Sequence, residues 1–218
     1  MKKFLSVFFV AVLVLGALSL VSCKKSSTTS PTPAATATPA PLFTFETDQS
    51  ALFGLGTADS PAETGISAIA WDSTVADAYA GSGSLKATAS FSGVVGTAAT
   101  AKGGLVYSPA SGTINLANKT ITVWVNIPAA IVSASTPYGF SFGINSNGWA
   151  NYNQLYINIT AAGWQKFTWD VATTAPAAGW QSGTDLTTAQ KIEFQIAKGT
   201  GSPDSGACTI NFDNIDWR

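Results

Sequence analysis

Thr120-Ile-Thr-Val-Trp-Val-Asn-Ile127 decides how the rest of the chain is read. Successive side chains of an extended strand point to opposite faces. Ile121, Val123, Val125 and Ile127 therefore share one side, and Thr122, Trp124 and Asn126 the other. A helix would scatter those four apolar residues around its axis, so the segment is a strand with one buried face. The same alternation recurs on both sides of it. Ser84 to Phe91 puts Leu85, Ala87, Ala89 and Phe91 together; Tyr138 to Ile144 does so for Phe140, Phe142 and Ile144. Gln154 to Ile159, Gln165 to Val171 and Lys191 to Ala197 follow, and Ala207 to Trp217 closes the chain. Leu42 to Glu46, Ser67 to Trp71 and Gly104 to Tyr107 are shorter candidates. Leu186 to Gln190 has room for one helical turn. Many short strands between Gly, Pro, Ser and Asn clusters predict an all-β, two-sheet β-sandwich of the jelly-roll type.

Composition excludes several chemistries. The 218 residues carry 11 Lys+Arg against 12 Asp+Glu and no histidine. Without His there is no Ser-His-Asp triad, no Cys-His dyad and no imidazole metal ligand. A formal charge of -1 supplies no basic face for nucleic acid. An apolar content of 46% still provides for a core.

Residues 1–22 read as a signal peptide: Lys2 and Lys3, an apolar run from Phe4 to Val21, then Ser22 before Cys23. Leu20-Val-Ser-Cys23 resembles the lipobox of bacterial lipoproteins, which implies that Cys23 is lipidated and holds the protein to a membrane. A spanning anchor is the alternative, since the run is near the minimum length to cross a bilayer. Lys24 is not a retention signal for the inner membrane of the enterobacterial kind, so the cell envelope, on its outer membrane, is the expected location. Residues 23–41 then form a tether of Ser, Thr, Ala and Pro too polar to order itself. Residues 42–218 are the folded domain. Cys208, left alone once Cys23 is lipidated, alternates with Ile210 and Phe212 and reads as a small buried apolar residue.

The outward-facing residues carry the functional signal. They are polar, almost uncharged and include large rings: Trp124, Asn126, Ser141, Gln154, Tyr156, Asn158, Glu193 and Gln195. Trp71, Trp149, Tyr152 and Trp180 add aromatics beside turn residues. A flat ring suits the apolar C–H face of a sugar, and amides or carboxylates suit its hydroxyls. Trp71, Trp124, Trp149, Tyr152, Tyr156, Trp180, Glu193 and Gln195 are thus the candidate carbohydrate-binding residues. Burying ~50–100 Å² per ring is worth roughly 1–2.5 kcal/mol. The structural alternative is strongest for Trp169, which shares a face with Phe167 and Val171. It holds also for Trp164 and Trp217 at strand ends. For Trp124 and the loop tryptophans, packing and ligand contact are comparable readings.

Several segments together resemble the galactose-binding-like jelly-roll carbohydrate-binding modules appended to bacterial glucanases, xylanases and mannanases. They are Phe43-Thr-Phe-Glu46, Gly81-Ser-Gly-Ser-Leu-Lys-Ala-Thr88, Leu116 to Pro128, Gly163-Trp-Gln-Lys-Phe-Thr-Trp-Asp170, Ile192-Glu-Phe-Gln-Ile196 and Ile210-Asn-Phe-Asp-Asn-Ile215. The resemblance implies a sugar site on a concave sheet face or its flanking loops. It also implies a structural Ca²⁺ joining the first and last strands. Glu46 and Asp213 would be its carboxylate ligands, backbone oxygens near Ser84 and Lys86 would add to them, and Asp48 would be a further candidate. A bulge at Asp213-Asn214 and a Glu46–Lys86 ion pair are the alternatives to a metal.

The resulting expectation is a free-standing, monomeric binding lipoprotein for a plant-type β-glycan such as glucan, xylan or mannan, without catalysis. An adhesion or structural protein-binding role is the alternative. A glycoside hydrolase stands third: Glu46, Glu63 and Glu193 are the only glutamates, and no strand carries a paired-carboxylate motif.

Overall fold

The computed structural model describes residues 40–56, 63–146, 152–172 and 184–218, all within the unit Pro39–Arg218. Among these residues there are ten strands: β1 (Phe53–Leu55), β2 (Ile66–Asp72), β3 (Ser84–Phe91), β4 (Lys102–Tyr107), β5 (Thr120–Ile127), β6 (Gly139–Asn145), β7 (Tyr152–Asn158), β8 (Gly163–Asp170), β9 (Lys191–Ala197) and β10 (Gly206–Asp216). They form two five-stranded antiparallel sheets. Sheet 1 has the order β1-β4-β9-β6-β7, and sheet 2 the order β2-β3-β10-β5-β8. This is the expected all-β sandwich.

The alternation sets the core. On β5, Ile121, Val123, Val125 and Ile127 are buried, with Thr122, Trp124 and Asn126 only partly covered. Facing them from sheet 1 are Phe140, Phe142, Ile192, Phe194 and Ile196, all without solvent contact. Rings interlock across the layers: Phe140 stacks on Phe167 at 4.1 Å, and Phe142 lies 6.2 Å from Trp169. Trp169 and Trp217 are core residues. Cys208 is half-buried, and burial pushes its thiol above the usual value.

Two details differ from the sequence expectation. Leu42 to Glu46 is not a strand: it makes a single bridge, Phe43 to Ile215, before Phe45 takes a φ of 53°. That left-handed conformation turns the chain out of the ladder. Phe45 is nevertheless fully buried, and its carbonyl accepts the Trp71 Nε1–H at 2.8 Å. The other difference is β1, whose three residues Phe-Gly-Leu carry no readable period. It forms one edge of sheet 1 by pairing with β4.

Candidate functional site

The outer face of sheet 1 departs from ordinary sandwich behaviour. The exposed side of a two-layer sheet meets water. Here Ile192, Phe194 and Ile196 of β9 point into the core, so Glu193 and Gln195 point outward, yet they are only 1% and 2% exposed. Ser141 and Asn145 of β6 are buried on the same side. Polar groups have been drawn out of water on a face that no second sheet covers.

Glycine makes this possible. Gly104 of β4 lies on the outer face, because its neighbour Leu105 packs the core. A Cβ there would come within 2.6 Å of Glu193 Oε1 and 3.0 Å of Glu63 Oε2. The missing side chain is the bed on which both carboxylates lie. Gly139 does the same for Tyr156, whose ring would be 2.7 Å from an added Cβ.

Register then builds a polar row across four strands. Tyr156 of β7 pairs with Ser141 of β6, Ser141 with Gln195 of β9, and Gln195 with Gly104 of β4. Gln195 Nε2 donates to Glu63 Oε1 at 2.6 Å. Ser141 Oγ and Tyr156 Oη each donate to Gln195 Oε1 at 3.5 Å. Lys102 Nζ stands 3.8 Å from Glu63 Oε1. Tyr156 itself remains 44% exposed, an open ring beside a desolvated row of donors and acceptors. The sequence reading placed Tyr156, Glu193 and Gln195 on outward faces, and the structure brings them together. It did not select Glu63, which reaches the row from a segment with no strand pattern.

Two of the other named aromatics, Trp124 of β5 and Trp71 of β2, belong to the other sheet and do not share this face. Trp124 lies on the outside of sheet 2, the opposite side of the sandwich. Tyr79 stacks on it with centroids 3.6 Å apart and planes 13° from parallel, and meets Trp164 edge-on at 5.8 Å. Its indole face is covered by its own chain. Trp71 pairs with Leu85 and packs against the core margin, its N–H spent on Phe45. Tyr152 begins β7 opposite Asn145. Trp149, Trp180 and Cys23 lie outside the described residues.

Glu46 and Asp213 do converge, on the loop that carries Tyr79. Asp213 Oδ2 accepts the Tyr79 and Ala80 N–H groups, both at 3.0 Å, and its Oδ1 accepts the Asn214 N–H at 2.7 Å. Glu46 Oε2 accepts the Ser82 N–H at 3.0 Å and hydroxyl at 2.9 Å. Burial pushes the Asp213 carboxyl above its ordinary value, against the three N–H bonds that favour its charge, and the nearby Glu46 charge adds to the rise. Lys86 does not pair with Glu46; it lies 3.4 Å from Asp72, whose carboxyl is held low first by Thr74. Asn214, with φ 46°, marks the register shift between Asp213 and Asp216. Asp48 is taken up with Ser50. Among the described residues no three acidic or sulfur side chains gather, so a Ca²⁺ here would combine these two carboxylates with backbone carbonyls. A buried carboxylate beside a like charge fits such an ion.

No known family profile matches the sequence, and no curated protein matches it. Solved structures do match in fold. One is a carbohydrate-binding module of the β-sandwich superfamily described for promiscuous specificity. It is 19% identical, with 82% of this chain and 61% of that chain covered, at a TM-score of 0.54. Another is the non-crystalline-cellulose-specific module CBM28, 12% identical, with 83% of this chain and 96% of that one covered, at a TM-score of 0.53. This chain thus spans less than two thirds of the first. The likeness establishes the architecture: a β-sandwich shared with carbohydrate-binding modules.

Proposed function

We propose that the domain is a non-catalytic polysaccharide-binding module, tethered to a bacterial membrane through lipidated Cys23, that lays a β-glycan such as glucan, xylan or mannan across the outer face of sheet 1. The observation that carries this reading is the buried row Ser141–Gln195–Glu63, flanked by the open ring of Tyr156, on the face that β7, β6, β9 and β4 form. Its donors and acceptors are already stripped of bulk water, so a hydroxylated ligand gains hydrogen bonds there with little further desolvation. Glu193 and Gln195 serve sugar hydroxyls; Tyr156 supplies a stacking ring, with Tyr152, Trp149 and Trp180 as further platforms. The fold it shares with carbohydrate-binding modules supports the reading.

Tyr156→Ala tests the site. One lost platform of roughly 1–2 kcal/mol weakens binding about tenfold. Retardation in gels containing β-glucan, xylan or mannan measures it. The melting temperature stays within about 2 °C, because an exposed ring adds little to stability. No retardation by any glycan would favour the protein-adhesion reading instead.

A hydrolase reading has one observation behind it, the approach of the Glu63 and Glu193 carboxylates over Gly104. Paired carboxyls ~5 Å apart are what a retaining glycosidase uses. Sugar released from these polymers by the wild type, and lost in Glu193→Gln, would establish it.

The structural Ca²⁺ at Glu46 and Asp213 is proposed with the module. A chelator then lowers the melting temperature by a few degrees, because an ion bound only to the folded state stabilises it. An unchanged melting curve removes the metal.

A further inference from the structure

Asn145 is the last residue of β6, on the same outer face as Ser141 and opposite Lys191 of β9 and Tyr152 of β7. It is 1% exposed, and neither Nδ2 nor Oδ1 has a hydrogen-bond partner among the described residues. A buried amide is almost always satisfied, because desolvating it without replacement bonds is unfavourable. Thr184 Oγ1 is buried and lacks a partner in the same sense. The two belong to segments that are tied together. Gln190 N–H donates to the Asn145 carbonyl at 2.7 Å, and Asp185 N–H donates to Ser146 Oγ at 2.9 Å. Two unsatisfied polar groups therefore stand on adjoining segments at the end of the candidate face.

We propose that Asn145, with Thr184 on the adjoining segment, is a ligand-contacting residue that takes both a donor and an acceptor from the hydroxyls of an uncharged sugar. The inference rests on the polysaccharide-binding reading and sharpens it. The amide offers two N–H groups and a carbonyl oxygen, and Thr184 offers either role. A metal cation would leave the N–H groups unused, and an anion would approach the buried Glu193 and Glu63 carboxylates on the same face. A hydroxyl both donates and accepts and carries no charge.

This arrangement has a signature that a structural residue lacks. An unsatisfied amide destabilises the free protein, so removing it stabilises the fold while weakening binding. In the full chain, Asn145→Ala and Thr184→Val are each expected to keep or raise the melting temperature, by ~1–4 °C. Asn145→Ala is also expected to weaken retardation by whichever of β-glucan, xylan or mannan the wild type binds, about tenfold or more. Polygalacturonate, an acidic chain, is expected to give no retardation. Asn145→Ala with undiminished binding would overturn the proposal and leave the module reading standing; it would mean that a buried water alone fills the space. A lowered melting temperature with unchanged affinity, or equal retardation by polygalacturonate, overturns it as well. A wild type that binds no polysaccharide overturns the module reading itself, and this inference with it.

Discussion

Trp169→Ala is expected to destabilise the domain by about 3–5 kcal/mol, the usual range for deleting a large buried aromatic. Trp169 is the largest side chain among those with essentially no solvent contact. It sits on β8 opposite Ile121 of β5 and reaches across the sandwich to Phe142 of sheet 1. Its removal would leave a cavity between two sheets whose backbones are held by their own ladders, so the space cannot collapse. At ~2–4 °C per kcal/mol for a domain of this size, the melting temperature should fall by roughly 10 °C. Thermal unfolding followed by circular dichroism checks it. A fall under about 3 °C would mean that Trp169 does not bridge the layers.

That prediction was available from sequence, because Trp169 alternates with Phe167 and Val171. The same rule located β3, β5 and β9 to within a residue and gave the two-sheet class. What alternation cannot state is which sheet a strand joins. The strand order is not sequential: β9 lies between β4 and β6, and β10 between β3 and β5. Glu193 and Trp124 both face outward on their strands, and only this order puts them on opposite sides of the sandwich. The cover over Trp124 was illegible for a related reason. Tyr79 is held there by Asp213, 134 residues away in sequence. Glu63 and Asn145 escaped because burial on an outer face follows from glycines on the neighbouring strands and from segments without a period, neither of which a strand's own pattern records.

Asp213→Ala is expected to cost the fold about 2–4 kcal/mol and to uncover Trp124. The carboxylate accepts three backbone N–H groups, from Tyr79, Ala80 and Asn214. An N–H left without an acceptor costs up to about 1–3 kcal/mol where water cannot replace the lost bond, and less at partly exposed groups such as these. Relief of the desolvation that Asp213 itself suffers offsets part of the sum. The loop released is the one that stacks Tyr79 on Trp124, so tryptophan emission should shift to the red in the native baseline before unfolding begins. The pH dependence has a definite sign. Because the folded-state carboxyl lies above its ordinary value, its contribution is fully present below the unfolded value near 3.9 and is lost as pH rises through the folded value. In a chelator, the wild type should therefore lose stability relative to Asp213→Ala as pH rises from about 4 toward 7. Calcium, by favouring the charged form, should oppose that trend. Urea titrations of both proteins across this range decide it. Parallel pH profiles with unchanged tryptophan emission would show that Asp213 neither holds the Tyr79 loop nor bears the burial assigned to it.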